Sequence, residues 1–291
     1  MSALTPAEAS DRFRQAPDRH IETGGGAVAY YKIGTGPDVV FSHGWPVSGA
    51  TWRTLLPYLA PHVTCHVIDH LGTGQSRFDR STHIGLASHV QALRDVVDEL
   101  GLTDFGVVGH DSGGMIAREA FAGDDRVRGW GLVATEQPPK PSWRFNSFIR
   151  LRVVPGFPKI VAWAFRRKRL RRNMFIGGDL FADKGLIGGE FEEFFLRPLS
   201  DDPDRQWASG QFADHFDLKK FGELEGFHRK MTQPVALVWG EKDPFFPVER
   251  TRAMMPQFAG EVSLEVVPDA KLFVHEEFPE PSARALLTAI G

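Results

Sequence analysis

Residues 107–114 read VVGHDSGG, an apolar run that enters a glycine-rich turn and continues into the helical pattern MIAREAFAG. The core of this stretch, Gly109-x-Asp111-x-Gly113, has the spacing of a nucleophile elbow, with aspartate where serine is usual. The small residues let strand and helix pack closely while a strained turn lifts the central side chain above a sheet. A carboxylate in that place has its own chemistry. With an ordinary pKa of about 3.9 it is expected to be ionised at neutral pH, so it needs no base before it attacks. It can displace a leaving group from a saturated carbon or open an epoxide, leaving an ester joined to the protein. A base is then required for the water that cleaves the ester. The alternative reading is an aspartate that caps the following helix.

FSHGWP, residues 41–46, ends an earlier apolar run and supplies the second half of such a site. The backbone N–H of Trp45 and that of Ser112 are expected to form an anion hole, with His43 bracing the loop. The elements that hold these turns alternate. AVAYYKIG, DVVFSHG, VTCHVID, FGVVGHD and GWGLVAT read as strands, and ASHVQALRDVVDEL puts Val90, Leu93, Val97 and Leu100 on one helical face. From residue 27 to about 135 this rhythm predicts βαβ units and a mostly parallel sheet. Residues 136–231 break it, with QPPKPSWRFN, PGFP, two Gly-Gly pairs and aromatic helical stretches. Strand signals return in PVALVWGEKDP and VSLEVVPD before a short closing helix, so the middle segment reads as a helical insertion.

The 291 residues suffice for one large core, and 42% hydrophobic with 24% charged residues is an ordinary globular composition. A formal net charge of −3 gives no reason to expect nucleic acid as partner. Cys65 is the only cysteine and excludes an intramolecular disulfide. No apolar stretch near the N-terminus resembles a signal peptide and no uncharged run would cross a bilayer, so a cytoplasmic protein without stable membrane association is expected. The run RRKRLRR, residues 166–172, reads as a solvated helix face, with attraction to anionic lipid or a phosphorylated ligand as the weaker reading. The histidines show no metal-ligand spacing, and GTGPD precedes a strand rather than a helix, so neither metal nor dinucleotide cofactor is expected. A small-molecule partner and a monomer or homodimer complete the expectation.

Six segments in order, HGWPVSGATWR, IDHLGTGQSRFD, GHDSGG, LVATEQPPKPSW, WGEKDPFFP and HEEFPE, resemble the α/β-hydrolase superfamily, in particular its haloalkane dehalogenase and epoxide hydrolase branch. The resemblance covers roughly residues 25–290. It implies an α/β-hydrolase fold, a mostly parallel central sheet flanked by helices, with a core of residues 1–135 and 232–291 and a helical cap of 136–231. It also implies Asp111 as nucleophile and Asp243 as the acid that orients a base, while Glu136 stands where some dehalogenases place that acid instead.

The chain departs from this branch in three places. Where the branch carries a Gly-His-Phe run with its catalytic base, this chain reads Lys271, Leu272, Phe273. His275 follows three residues later, a shift that on a helix is about 4.5 Å along the axis on roughly the same face. His275 is therefore the candidate base; if it is not, the site lacks one. His110, beside the nucleophile, is expected to point away. Many haloalkane dehalogenases carry tryptophan after the nucleophile for the leaving halide, and here Ser112 follows. Epoxide hydrolases usually use two cap tyrosines, yet the only tyrosines are Tyr30, Tyr31 and Tyr58. Trp45, Trp143, Trp163, Trp207 and His215 are the candidates for partial substitutes. Three readings follow: an aspartate-nucleophile hydrolase of small apolar halides or epoxides, a hydrolytically impaired relative that binds a small ligand, and a lyase or isomerase with Asp111 as base.

Overall fold

The computed structural model describes residues 4–151, 157–173 and 177–291. Eight strands form one sheet: β1 (Arg19–Thr23), β2 (Gly26–Gly34), β3 (Asp38–Ser42), β4 (Thr64–Asp69), β5 (Phe105–His110), β6 (Val127–Val133), β7 (Val235–Gly240) and β8 (Val262–Val267). Their spatial order is β1-β2-β4-β3-β5-β6-β7-β8. β2 runs antiparallel to both β1 and β4, and every pairing from β4 across to β8 is parallel. This is the mostly parallel, helix-flanked sheet expected from the alternating pattern.

Strands β4, β5 and β7 are buried along their whole length, as continuous apolar runs in a doubly covered parallel sheet should be. β1 has no counterpart among the expected strands. In RHIET only Ile21 is buried, so this edge strand leaves neither an apolar run nor an alternation to read. Cys65 lies buried in β4.

Helix Leu86–Glu99 buries Val90, Leu93 and Val97 and packs against helix Ser112–Phe121, whereas Leu100 is only partly buried at the helix end. The terminal helix Pro279–Ile290 lies on β6 and β7. Between β6 and β7 the described residues are helical, and among their longer helices are Trp143–Leu151, Phe157–Phe165, Pro203–Asp214 and Lys220–His228. The basic run is only partly a solvated face. Arg166, Arg167, Lys168, Arg169 and Arg172 are exposed, but Arg171 turns inward and pairs with Glu192. Among the described residues no helix is long and apolar enough to cross a membrane.

Candidate active site

The turn after β5 is built from residues that tolerate crowding. Asp111 sits at φ 49°, ψ −135°, immediately before helix Ser112–Phe121. A non-glycine residue in that region costs on the order of 1–3 kcal/mol and persists only where its surroundings enforce it. Here they do. A Cβ on Gly113 would come within 2.2 Å of the Ser42 carbonyl oxygen, and one on Gly44 within 2.5 Å of the Asp111 Cβ. The glycines thus let the β3 loop, the turn and the helix meet. Although Asp111 holds the N-cap position, its side chain caps nothing, which removes the alternative of a capping aspartate.

The Asp111 carboxyl meets the two expected amides. The Trp45 N–H donates to Asp111 Oδ2 at 3.1 Å and also reaches Ser112 Oγ at 2.9 Å, and the Ser112 N–H faces the same carboxyl. Both amides favour the charged form, but they do not prevail. Burial, then the nearby Glu136 and Asp243, push Asp111 well above the usual carboxylate range. Asp111 is therefore harder to ionise than the solvated carboxylate of the sequence expectation, because it is buried beside two other acids.

Glu136 follows β6 and is fully buried. Its Oε2 lies 2.8 Å from Thr135 Oγ1 and 3.7 Å from Arg118 Nη2, and its Oε1 has no partner. Burial raises its pKa, opposed first by the Arg118 charge. Arg118 comes from the helix that begins at Ser112. It donates to the carbonyls of Gly114 at 2.9 Å and Glu136 at 3.0 Å and to Thr135 Oγ1 at 2.9 Å. Sequence reasoning passed over Arg118 and Thr135. The available signal was the arginine early in MIAREAFAG, a run in which Glu119 is the only other charged residue.

Asp243 lies in the turn after β7, where Oδ1 accepts the N–H groups of Phe245 at 2.8 Å and Phe246 at 3.0 Å. Its Oδ2 is buried without a partner, and burial raises the carboxyl to about 7. The two competing acids thus differ in position: Glu136 lines the cavity that contains Asp111, and Asp243 does not.

His275 is not brought to this cavity. The helical argument fails because the helix begins only at Val274, so Leu272 and His275 do not share its axis. The single turn Val274–Glu277 packs on the segment Gly49–Thr54, with Glu276 paired to Arg53 at 2.9 Å. His275 Nε2 lies 2.9 Å from Thr51 Oγ1, whose hydroxyl donates to Glu276 Oε1 at 2.6 Å, so the imidazole is the donor to Thr51. Its ring packs on Trp52 and His110, and burial holds its pKa well below the ordinary value. Leu272 and Phe273 form cavity wall instead, and among the described residues no imidazole lines it. His110 points away, its Nε2 on the Leu272 carbonyl at 3.2 Å. His43 braces its loop, with Nδ1 on the Gly44 carbonyl and Nε2 accepting the His70 N–H, each at 2.9 Å.

The cavity holds about 190 Å³ of open space. Asp111, Ser112 and Glu136 supply polar atoms, Gln206, Ser209 and Asp214 contribute others, and Phe145, Phe165, Phe195, Phe212 and Phe245 are among the apolar walls. Of the candidate substitutes, Trp45 lines it, with its indole N–H on the Ser209 carbonyl at 3.1 Å. Trp143 and Trp163 are exposed, Trp207 stacks on Phe78, and His215 packs beside His83. A smaller cavity of about 30 Å³ adjoins at Trp45 and Phe212, with His89 and Arg205 in its wall. It offers room for about one water molecule.

The alpha/beta hydrolase fold family matches residues 37–279. Haloalkane dehalogenase 2 of Mycobacterium tuberculosis is 26% identical over 288 residues, covering 94% of each chain. A soluble epoxide hydrolase of Corynebacterium sp. strain C12 is 39% identical over 102 residues, covering 33% of each. The crystal structure of an alpha/beta hydrolase fold protein from Burkholderia ambifaria superposes with a TM-score of 0.76 at 24% identity, over 94% of this chain and 98% of that one. The fold and the resemblance carried by the six motifs agree with these findings.

Proposed function

Since this chain belongs to the alpha/beta hydrolase fold family, we propose that it is a hydrolase in which Asp111 attacks a saturated carbon of a small, largely apolar halide or epoxide and forms an ester with it. The observation that carries this reading is the uncapped Asp111 carboxyl, held at positive φ in the wall of an apolar cavity and met by the Trp45 and Ser112 amides. A strained, glycine-framed turn that presents one carboxyl to a largely apolar cavity points to a functional rather than a structural use. The largely apolar wall suits a small carbon electrophile, and the Trp45 and Ser112 amides can take up charge on the carbonyl oxygen when the ester is cleaved.

Because burial raises Asp111, attack draws on its ionised fraction, and ester formation should quicken as pH rises. The test is to mix the protein with a primary alkyl iodide or an aryl epoxide, quench in acid and measure intact mass. The expected result is an adduct of the corresponding mass that maps to the peptide containing Asp111 and is absent from Asp111→Asn. Adducts elsewhere, or none, would refute it. A second reading, a protein that binds a ligand without turning it over, is favoured by Leu272 in the cavity wall. Saturable binding of the same compounds without any adduct would select it.

A further inference from the structure

Glu136 has no task in ester formation as described, yet it is fully buried in the wall of the same cavity as Asp111, with one oxygen unpartnered. Its other oxygen is fixed by the Thr135 hydroxyl and the neighbouring Arg118 guanidinium. Arg118 is itself tied to two backbone carbonyls and to Thr135, so the carboxyl is held in place rather than free to swing. We propose that Glu136 carries out the proton transfers of the cycle, first as acid and then as base, and that this favours strained cyclic ethers, whose opening consumes a proton, over halides. The inference rests on Asp111 forming the ester.

The proton count closes on the two carboxyls alone. In the proposed resting site the two buried carboxyls hold one negative charge between them, and the Arg118 guanidinium, 3.7 Å from Glu136 Oε2, draws that charge toward Glu136. Asp111 then carries the proton. Transfer of this proton to Glu136, directly or through one water, leaves Asp111 anionic. An Asp111 oxygen attacks an epoxide carbon, a C–O bond of the ester forms, the ring C–O bond breaks, and the ring oxygen takes the proton from Glu136. Esterification has now removed the charge on Asp111, and Glu136 is an anion beside a neutral ester. It accepts one proton from water as that water adds to the ester carbonyl, and on collapse the ester C–O bond breaks and the diol oxygen leaves with the proton of the added hydroxyl. Asp111 leaves as carboxylate and Glu136 is protonated, and return of the proton to Asp111 restores the resting site. A halide breaks this count. Its departure takes no proton, so Glu136 stays protonated until it loses that proton to solvent, and no tryptophan follows Asp111 to receive the halide.

The same logic accounts for the departures of this chain. A carboxyl that donates to the ring oxygen makes cap tyrosines dispensable, and one that then accepts from water makes the imidazole at position 272 dispensable. This is the acid-then-base use of one carboxyl known from retaining glycosidases, applied to an ester.

The experiment compares wild type with Glu136→Gln, whose amide keeps the side-chain volume. With styrene oxide, wild type should release diol, and Glu136→Gln should open the ring about 100-fold more slowly or worse, the usual scale of a lost proton donor. Loaded with a primary alkyl iodide, whose departure needs no acid, both should form the Asp111 ester. Wild type should then clear it, and the variant should hold it about 100-fold longer or more. Adding Leu272→His to the variant should restore clearance but not ring opening, a pattern that mere loss of structure would not produce. If Glu136→Gln fails to fold, Glu136→Asp, which keeps a carboxyl on a shorter stem, should show intermediate rates in both steps. Clearance by Glu136→Gln at the wild-type rate, or a wild-type ester that persists, would overturn the role of Glu136 and leave Asp111 as nucleophile standing. Absence of any ester on Asp111 would instead remove the reading on which this one rests.

Discussion

Asp243→Asn should stabilise the protein at alkaline pH and lose most of that advantage in acid. The wild-type carboxyl is buried, has one unpartnered oxygen and is raised from 3.8 to about 7. In the unfolded chain it releases its proton near its ordinary value. Between the two values the folded state therefore binds a proton that the unfolded state has lost, and stability falls as pH rises through that window. At about 1.4 kcal/mol per unit, a shift of roughly three units amounts to about 4 kcal/mol above pH 7, of which roughly 3 kcal/mol accrues between pH 5 and pH 8. Asparagine carries no charge in either state and keeps a carbonyl to accept the Phe245 and Phe246 N–H groups, which Asp243 Oδ1 accepts now. Equilibrium urea unfolding of both proteins at pH 5 and pH 8 is the assay. Glu136 and Glu276 titrate in both, and loss of the Asp243 charge also eases ionisation of Asp111, which adds to the gap in the same direction. The gap should move by roughly 3 kcal/mol in favour of the asparagine variant toward pH 8. A pH-independent gap, or one that moves the other way, would show that Asp243 holds a stabilised charge and that the reasoning from burial is wrong.

Two further expectations concern the groups around the site. Arg118→Met should cost about 3–5 kcal/mol at neutral pH, because it strands the buried Glu136 carboxylate without its cation, and the cost should shrink in acid as Glu136 takes up a proton; a pH-independent loss in urea titrations would refute the pairing. His275→Gln, which can still donate to Thr51, should lower stability by about 1 kcal/mol and leave ester clearance on Asp111 unchanged. A hundredfold slower clearance would instead reinstate His275 as the base.

The turn carrying Asp111 was legible because its determinants are local. Gly109, Gly113 and Gly44 are needed at fixed separations by close backbone approach, and composition alone records that need. The strands from β2 to β8 were legible through apolar runs, and β1 was not, with Ile21 its only buried side chain. Protonation was not legible at all. Asp111, Glu136 and Asp243 come from three separate turns, and only the fold shows that all three are buried and that the latter two raise Asp111. His275 misled because a helical period was carried across Lys271–Phe273, a stretch that the helix does not include. Arg118, with its grip on Thr135 and Glu136, needed the packing of the helix against the end of β6.

The carboxyls at the strand ends and four of the phenylalanines around them come from different stretches of chain, while Phe245 and Phe273 follow β7 and β8. Asp111 and Glu136 follow β5 and β6, whereas Phe145, Phe165, Phe195 and Phe212 all lie in the helical segment before β7. Exchanging those rings for smaller or larger side chains would reshape what fits without disturbing the groups that react. If the proposed reaction holds, selectivity is thus partly separable from reactivity: a library confined to the helical segment should retune the guest while the acids keep their spacing.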